Sequence, residues 1–340
     1  MTILRKRALA GLIAGLSAST ALLAASPASA APPAHAGKPT DVRVLAWNIY
    51  HGGLDDNWDN LDTRKDVIRQ IVDVNPDVFF SVETYGAGDE IIAGLEAATG
   101  DDWTGIQITP SSTGNDNLWL FTHYDIDKVF PAPTGYRETG TFHIGGARLI
   151  ADDGRAINAF TMWSNYTNPW VGDLIEDNAL DVAAGRKPQV PAEKIVDADR
   201  RQTQYVADFL DYVGTHAPAG EPVLMGGDLN TMPAADWTSK WARCADHFGL
   251  SYDLAATGKF TDAGFVDTYR AANPNVCKAP GMTWSPRLDM TTPDRIDFIY
   301  AKGQVVQVKD SYTIAKRLPG DPDGQFYSDH SAVVSDVRIK

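Results

Sequence analysis

Between Val42 and Glu83 the sequence commits itself to a β-α-β unit with a polar residue at the end of each strand. Val42-Arg43-Val44-Leu45-Ala46-Trp47 alternates and then turns apolar, the pattern of a strand entering a core, and stops at Asn48 ahead of Ile49-Tyr50-His51-Gly52-Gly53. Val67, Ile68, Ile71, Val72 and Val74 keep helical spacing between Arg64 and Asn75, and Pro76 ends that helix because its ring has no N–H and clashes with the preceding turn. Asp77-Val78-Phe79-Phe80-Ser81-Val82 is a buried strand whose next residue is Glu83. A chain that starts this way reads as α/β.

The same grammar recurs at Pro222-Val223-Leu224-Met225-Gly226-Gly227-Asp228-Leu229-Asn230, a short apolar strand followed by two glycines, a carboxylate and a carboxamide. Glycines at a strand end permit a sharp turn and close approach of a ligand, so Asp228 and Asn230 are read as facing one point. An acceptor for protons or cations beside a neutral donor is what hydrolysis of a phosphoester requires, although an ordinary turn carries the same letters.

Composition narrows the setting. The chain has 340 residues and is 44% hydrophobic, enough for a large core. Its first thirty residues form a signal peptide: Arg5-Lys6-Arg7, an apolar run over residues 8–25, and Ala28-Ser29-Ala30 as a cleavage site, with Ala34-His35-Ala36 as the alternative. Residues 31–40 form a flexible tail and 41–340 a single domain, with no second stretch apolar enough to enter a bilayer stably. The mature protein is therefore expected to be secreted, with a monomer as the default. The net charge is −14, and near −17 without the signal peptide, which argues against a basic face that grips nucleic acid by counterion release. It leaves room for a carboxylate-rich site that draws phosphate in through a divalent cation. In an exported chain the two cysteines, Cys244 and Cys277, are expected to be bonded to each other.

Further strands are expected at 104–108, 118–122, 129–130, 147–150 and 155–163, the last leading into the aromatic loop 164–170, and a helix over 199–213. A helix is also expected around Trp241 in the otherwise patternless 237–280. Arg295-Ile296-Asp297-Phe298-Ile299-Tyr300 alternates as a strand, 305–308 is another, and the loop 316–327 delivers Ser328-Asp329-His330-Ser331 to a closing strand over 332–337. Polar groups thus follow strands again and again: Asn48, Glu83, Asp228 with Asn230, Asp297, and Asp329 with His330.

Each motif alone is weak, but the ordered set Trp47-Asn48, Val82-Glu83, Gly227-Asp228-Leu229-Asn230, Arg295-Ile296-Asp297-Phe298 and Ser328-Asp329-His330 resembles the endonuclease/exonuclease/phosphatase superfamily, whose members include deoxyribonuclease I, over nearly all of the mature chain. The resemblance implies a four-layer α/β/β/α sandwich of two mixed sheets and metal-dependent cleavage of a P–O bond. It implies Glu83 as the main Mg²⁺ ligand, with Asn48 beside it and Asp329 completing the site; Mn²⁺ or Ca²⁺ are alternatives. Mg²⁺ suits such a set, because it takes oxygen ligands and needs few carboxylates. Asp228 would orient or deprotonate water, Asn230 would donate to a phosphate oxygen, and His330 would bind the phosphate, its ring fixed by Asp297. The resemblance implies a phosphodiesterase of the nuclease type, acting on DNA or RNA, with a lipid or small-molecule phosphoesterase and a non-catalytic binding module of this fold as rivals.

One departure stands out. Nuclease members place a histidine at the end of the strand that here reads Thr161-Met162-Trp163-Ser164, where it can protonate the leaving group. Tyr166, His51 or His143 are candidates to replace it, or the leaving group needs no acid. Trp163 is a candidate to stack on a base or sugar, or to plug the gap. Arg148 is a candidate bidentate phosphate contact, against a salt-bridged role in the sheet.

Overall fold

The computed structural model describes residues 2–3, 39–55, 61–111, 116–303 and 305–339. The expected signal peptide and tail lie almost wholly outside these residues. Two mixed sheets dominate. The first runs, in spatial order, Thr2–Ile3, Thr104–Gln107, Trp119–Thr122, Val78–Val82, Thr40–Asn48, Ala332–Ile339 and Val305–Ile314. The second runs Val266–Asp267, Asp297–Lys302, Val223–Asp228, Ala156–Trp163, Ile144–Ile150 and Asp125–Val129. Thr40–Asn48 is parallel to Val78–Val82, as the opening β-α-β pattern requires, and Ala156–Trp163 is parallel to Val223–Asp228.

Strand alternation sorts the side chains into layers. Val44, Ala46, Phe80 and Val82 of the first sheet meet Ile157, Ala159, Leu224 and Ile299 of the second in a core shared by both. The opposite faces are covered by helices. Leu45, Trp47 and Phe79 pack under Arg64–Val74 and Gly88–Thr99, while Phe160, Met162, Met225 and Phe298 pack under Thr203–His216 and Gly258–Asp262. The result is the expected α/β/β/α sandwich.

Several local expectations are corrected. Gly226 and Gly227 lie within Val223–Asp228, not at a turn after it. A Cβ on Gly226 would stand 2.4 Å from the ring of Phe80 and 2.9 Å from Cβ of Ala46, so the glycine is there because the two sheets nearly touch. The helix expected over 199–213 is two, Ala192–Arg200 and Thr203–His216, and a further helix, Val171–Ala183, follows the aromatic loop. Around Trp241 the chain makes successive turns, with Trp241 N–H donating to Thr238 O and Cys244 N–H to Trp241 O, and the nearest helical piece is a single 3₁₀ turn, Ala245–His247. That segment is pinned by the expected Cys244–Cys277 disulfide, with Cα atoms 4.9 Å apart, and by Arg270, which donates to Asp236 at 2.7 Å. Buried Arg295 donates to the same carboxylate at 3.1 Å and pairs with Asp267 at 2.8 Å, tying the irregular segment to the strand that carries Asp297. Among the described residues no helix is long and apolar enough to cross a membrane.

Candidate active site

The residues that fill the shared core also aim the polar groups. Asn48 lies two residues beyond Ala46, Asp228 two beyond Gly226, and Asp297 two before Ile299, so all three sit on the inter-sheet side at one end of the sandwich. Asp228 and Asp297 are direct neighbours in the antiparallel ladder. His330 arrives just ahead of Ala332–Ile339, and its position is fixed from three sides. Its backbone N–H donates to Ser328 Oγ at 3.0 Å, its carbonyl accepts from the Trp47 indole at 2.8 Å, and its residue bridges to Trp284.

Distances show one pocket. His330 Nδ1 donates to Asp297 Oδ2 at 2.9 Å, and its Nε2 lies 4.0 Å from Asp329 Oδ1. Asn48 Nδ2 donates to Glu83 Oε1 at 3.1 Å and to Asp228 Oδ2 at 3.2 Å, so one amide ties the acids of both sheets, and it lies 3.3 Å from His330 Nε2 with no hydrogen left to share with the ring. Asn48 Oδ1 accepts the N–H of Tyr50 at 3.0 Å, which sets which way the amide faces. Asp228 accepts from the backbone and the side chain of Asn230, at 2.9 and 3.2 Å, as well as from Asn48. Asn230 spends its other side-chain hydrogen on Ser164 O at 2.9 Å. Both Asn230 amide hydrogens thus hold Asp228 and the neighbouring loop in this structure.

Burial and charge set the protonation. For Asp228, burial raises the carboxyl pKa first and the charge of Asp297 second, and these outweigh His330 and the donors from Asn230 and Asn48. His330 is fully enclosed, which opposes its charge, yet Asp297, Asp329 and Asp228 more than offset that and hold its proton well above the ordinary imidazole range. Asp329 is raised by burial and by Glu83. The pocket thus combines a carboxyl and an imidazolium whose protons are shared among close anions.

Of the other sequence candidates, His51 is at the pocket: its N–H is 3.3 Å from Glu83 Oε2, and its Nε2 is 4.0 Å from the same oxygen. Trp163 lies beside Asp228 in the parallel ladder and packs edge-on against Phe142 at 5.3 Å, filling the space next to the pocket. His143 stands one strand further out. Its Nδ1 accepts from Gly140 N–H at 3.2 Å, so the ring proton is on Nε2, directed at Asn165 Oδ1 at 3.4 Å. Burial lowers its pKa, and this neutral ring with both nitrogens engaged corrects its candidacy as a proton source. Tyr166 is 55% exposed and gives its hydroxyl to Asp173 at 3.2 Å, which corrects its candidacy likewise. Arg148 is removed from the site: it donates twice to Glu221 and once to Asp127, opposite Asn158, five residues or roughly 16 Å along the strand from Trp163. The salt-bridged alternative describes it.

Supporting residues that the sequence reading passed over are mostly distant in sequence. Asn117 Oδ1 accepts the N–H of Glu83 at 2.8 Å, and its Nδ2 donates to Phe142 O. Thr283 Oγ1 accepts the N–H groups of Ile296 and Asp297 at 2.9 and 3.1 Å, and the Trp170 indole donates to Asn230 O at 2.7 Å. Their only sequence signal was position, in that each lies in or beside a loop next to a strand ending in a motif residue.

The oxygen donors fit a hard cation. Glu83, Asp329 and the second lone pair of Asn48 Oδ1 are all oxygen, and buried Asp329 Oδ1 and Asp297 Oδ1 have no hydrogen-bond partner within the described residues. Asp228, Asp297 and His330 also place ligand atoms within 4.8 Å of one another. The imidazole of that trio is committed to Asp297 and strongly favours a proton, so the trio is better suited to proton transfer than to Mg²⁺.

With this geometry in hand, comparison with known proteins is informative. The model of the endonuclease/exonuclease/phosphatase family matches residues 45–330. An uncharacterized protein of Caenorhabditis elegans is 24% identical over 318 residues, covering 88% of this chain and 91% of its own. Among solved structures, an endonuclease/exonuclease/phosphatase family protein from Bacteroides thetaiotaomicron superposes with a TM-score of 0.57 at 15% identity, over 89% of this chain and 99% of that one. An AP endonuclease from Archaeoglobus fulgidus gives 0.55 at 15% identity over 86% and 98%, and truncated TDP2 from Caenorhabditis elegans gives 0.53 at 17% over 88% and 98%. At such identities the superpositions establish the fold alone.

Proposed function

The chain belongs to the endonuclease/exonuclease/phosphatase family, and from that premise we propose that it is a secreted, divalent-metal-dependent phosphohydrolase that cleaves phosphodiester bonds in the manner of a nuclease. The observation that carries this reading is the convergence of Asn48, Glu83, Asp228, Asp297 and His330 from both sheets onto one buried pocket, joined through a single Asn48 amide. Fold stability gains nothing from crowding three acids there, since an unpaired buried charge costs several kcal/mol (about 3–5 when a partner is removed).

Glu83, with Asn48 and Asp329, would hold the cation, whose chemistry there is to neutralise phosphate oxygens and acidify water. The protein's own groups do the rest. Asp228, held by Asn230 and Asn48, accepts the proton of the attacking water in its ionised form, which those two donors and the charge of His330 favour against the burial that raises its pKa. His330, as imidazolium, donates from Nε2 toward a phosphate oxygen, while Asp297 fixes the ring through Nδ1 and stabilises its charge as negative charge accumulates on the phosphoryl group. Of the three sequence candidates for a leaving-group role, Tyr166 and His143 are engaged elsewhere and His51 is the one whose ring lies beside Glu83.

The test is hydrolysis by the purified mature protein of plasmid DNA, sphingomyelin and bis-p-nitrophenyl phosphate, each with Mg²⁺ and with EDTA. EDTA-sensitive DNA cleavage supports the reading. Activity on sphingomyelin alone moves the substrate to lipid, and no activity on any of the three leaves a binding module. Export rests on the leader composition, and sequencing the secreted protein should find an N-terminus after Ala30 or Ala36.

A further inference from the structure

One wall of the pocket is more elaborate than phosphate chemistry requires. Four non-glycine residues there adopt left-handed backbone: Tyr50 (φ 49°), His51 (49°), Glu83 (54°) and Tyr85 (29°). Each such residue costs on the order of 1–3 kcal/mol, and such strain persists where the surroundings over-determine it. The surroundings do so here. Gly52 N–H donates to Glu83 O at 2.7 Å, Arg64 Nε to Gly52 O at 2.8 Å, and Gly86 N–H to Asp116 Oδ1 at 2.7 Å. A side chain on Gly52 would stand 2.6 Å from Thr84 O, so the two turns are pressed together. What they present is aromatic. The Tyr50 and His51 rings are 4.7 Å apart at 48°, His51 meets Tyr85 edge-on at 5.7 Å and 88°, and the guanidinium of Arg287 lies over Tyr50 at 5.7 Å. All three rings are only half-buried.

We propose that Tyr50, His51 and Tyr85, with Arg287, form a subsite that takes a nucleobase attached to the phosphoester held in the pocket. This rests on the phosphohydrolase reading and narrows it to nucleotide substrates. The wall is within reach of the phosphate site: the Tyr50 N–H is bonded to Asn48, His51 touches Glu83, and Tyr85 follows Glu83 by two residues and meets the His51 ring. The Tyr85 phenol offers an O–H donor beside its ring face. Ring faces supply stacking, which every base accepts, and the His51 ring and Tyr85 hydroxyl supply polar contacts for a base edge. A quaternary ammonium group would also favour aromatic faces, but it would meet the positive charge of Arg287 beside Tyr50. An alkyl chain would strip water from the hydroxyl and imidazole without replacing it.

Calorimetric titration of the mature protein in Mg²⁺ with adenosine 5′-monophosphate, ribose 5-phosphate and phosphocholine tests this. The nucleotide should bind about tenfold or more tightly than ribose 5-phosphate, the scale expected from stacking one base. Tyr50→Leu and Tyr85→Leu should each erase most of that difference while ribose 5-phosphate binds as before, and Tyr85→Phe should keep the stacking part. Thermal melts verify that each variant is folded. Equal affinity for the nucleotide and ribose 5-phosphate overturns the subsite while leaving the phosphohydrolase intact, and tighter binding of phosphocholine overturns it in favour of a cation site. Absence of any EDTA-sensitive hydrolysis rejects the underlying reading separately.

Discussion

Asp297→Asn is the most informative single change, because it preserves shape and an acceptor for His330 Nδ1 while removing one charge. The pair is 2.9 Å apart, with Asp297 1% and His330 5% exposed, so bulk water screens little of it. Removing one member of a buried ion pair costs about 3–5 kcal/mol. If that loss falls on the transition state, where the imidazolium must face a charged phosphoryl group, it corresponds to roughly 10²- to 10³-fold or more in rate. The pH dependence gives a sharper readout. His330 has a raised pKa in the fold, so the benefit of its charge is complete below the ordinary imidazole value near 6.5 and is lost as pH climbs through its own higher value. The alkaline limb of kcat/KM should therefore lie above that of a free imidazole in the wild type and move acidward in Asp297→Asn. Thermal stability should fall by less than that figure, because the substitution also relieves the repulsion between Asp297 and Asp228. Rates of bis-p-nitrophenyl phosphate hydrolysis in Mg²⁺ from pH 5 to 10 would measure both quantities. A variant that keeps its rate within threefold and an unmoved alkaline limb would refute the assignment of His330 as a charged partner of the phosphate.

Other expectations are more compact. Excess Mg²⁺ should raise the melting temperature of the wild type, and Glu83→Gln should abolish that rise and lower turnover at least about a hundredfold, the scale of losing a main charge-stabilising group; an undiminished Mg²⁺ shift would move the cation site elsewhere. Reducing the Cys244–Cys277 bond, which closes a loop with a sequence separation of 33, should lower stability by about 3–4 kcal/mol in the loop-entropy model, read by denaturant unfolding with and without reductant. Asp294 is fully buried and its carboxyl is pushed well up, by burial first and then by Glu176 and Asp173, so its contribution is intact at acid pH and lost as pH rises through its folded value. Asp294→Asn should accordingly raise the melting temperature more at pH 8 than at pH 5. Gly227→Ala should fail to give soluble protein, since its Cβ would stand 1.8 Å from Met162 O across the parallel ladder.

Which parts of this were legible beforehand follows from how local each one is. Asn48, Glu83 and Asp228 end or follow a strand, whereas Asp297 and His330 begin or precede one, against the expected order; a polar residue abutting an apolar run is in either case written in consecutive letters. The wall of Tyr50, His51 and Tyr85 is not written that way. Non-glycine residues give no sign that they will adopt positive φ, and it takes the contact of turns 49–53 and 83–87 to hold them there. Val171–Ala183 escaped because Asp173, Glu176, Asp177, Asn178 and Asp181 dilute its apolar stripe of Leu174, Ile175 and Ala179. Asn178 and Asp181 are nonetheless buried, satisfied by Val190 and Gln189. Arg148 had a correct structural alternative in the sequence, but its partner Glu221 lies 73 residues away, beyond any local pattern.

The misreading of Gly226 shows what actually builds the pocket. A turn would explain Asp228 by itself, whereas the structure explains it together with Asn48. At Ala46 and Gly226 the sheets come close, since even one added carbon on Gly226 would meet Ala46 and Phe80. From there each strand runs two more residues, to Asn48 and to Asp228, so the sheet separation at the glycine sets the reach between the two. That reach is 3.2 Å, a hydrogen bond across the sandwich that brings Glu83 of one sheet and His330–Asp297 between the sheets to the same amide. The small residues in the core and the charged residues at its end are therefore one device. Enlarging Gly226 should be felt first as a loosened acid pocket, because any outward shift of the sheets breaks the Asn48–Asp228 contact before it uncovers the apolar core below.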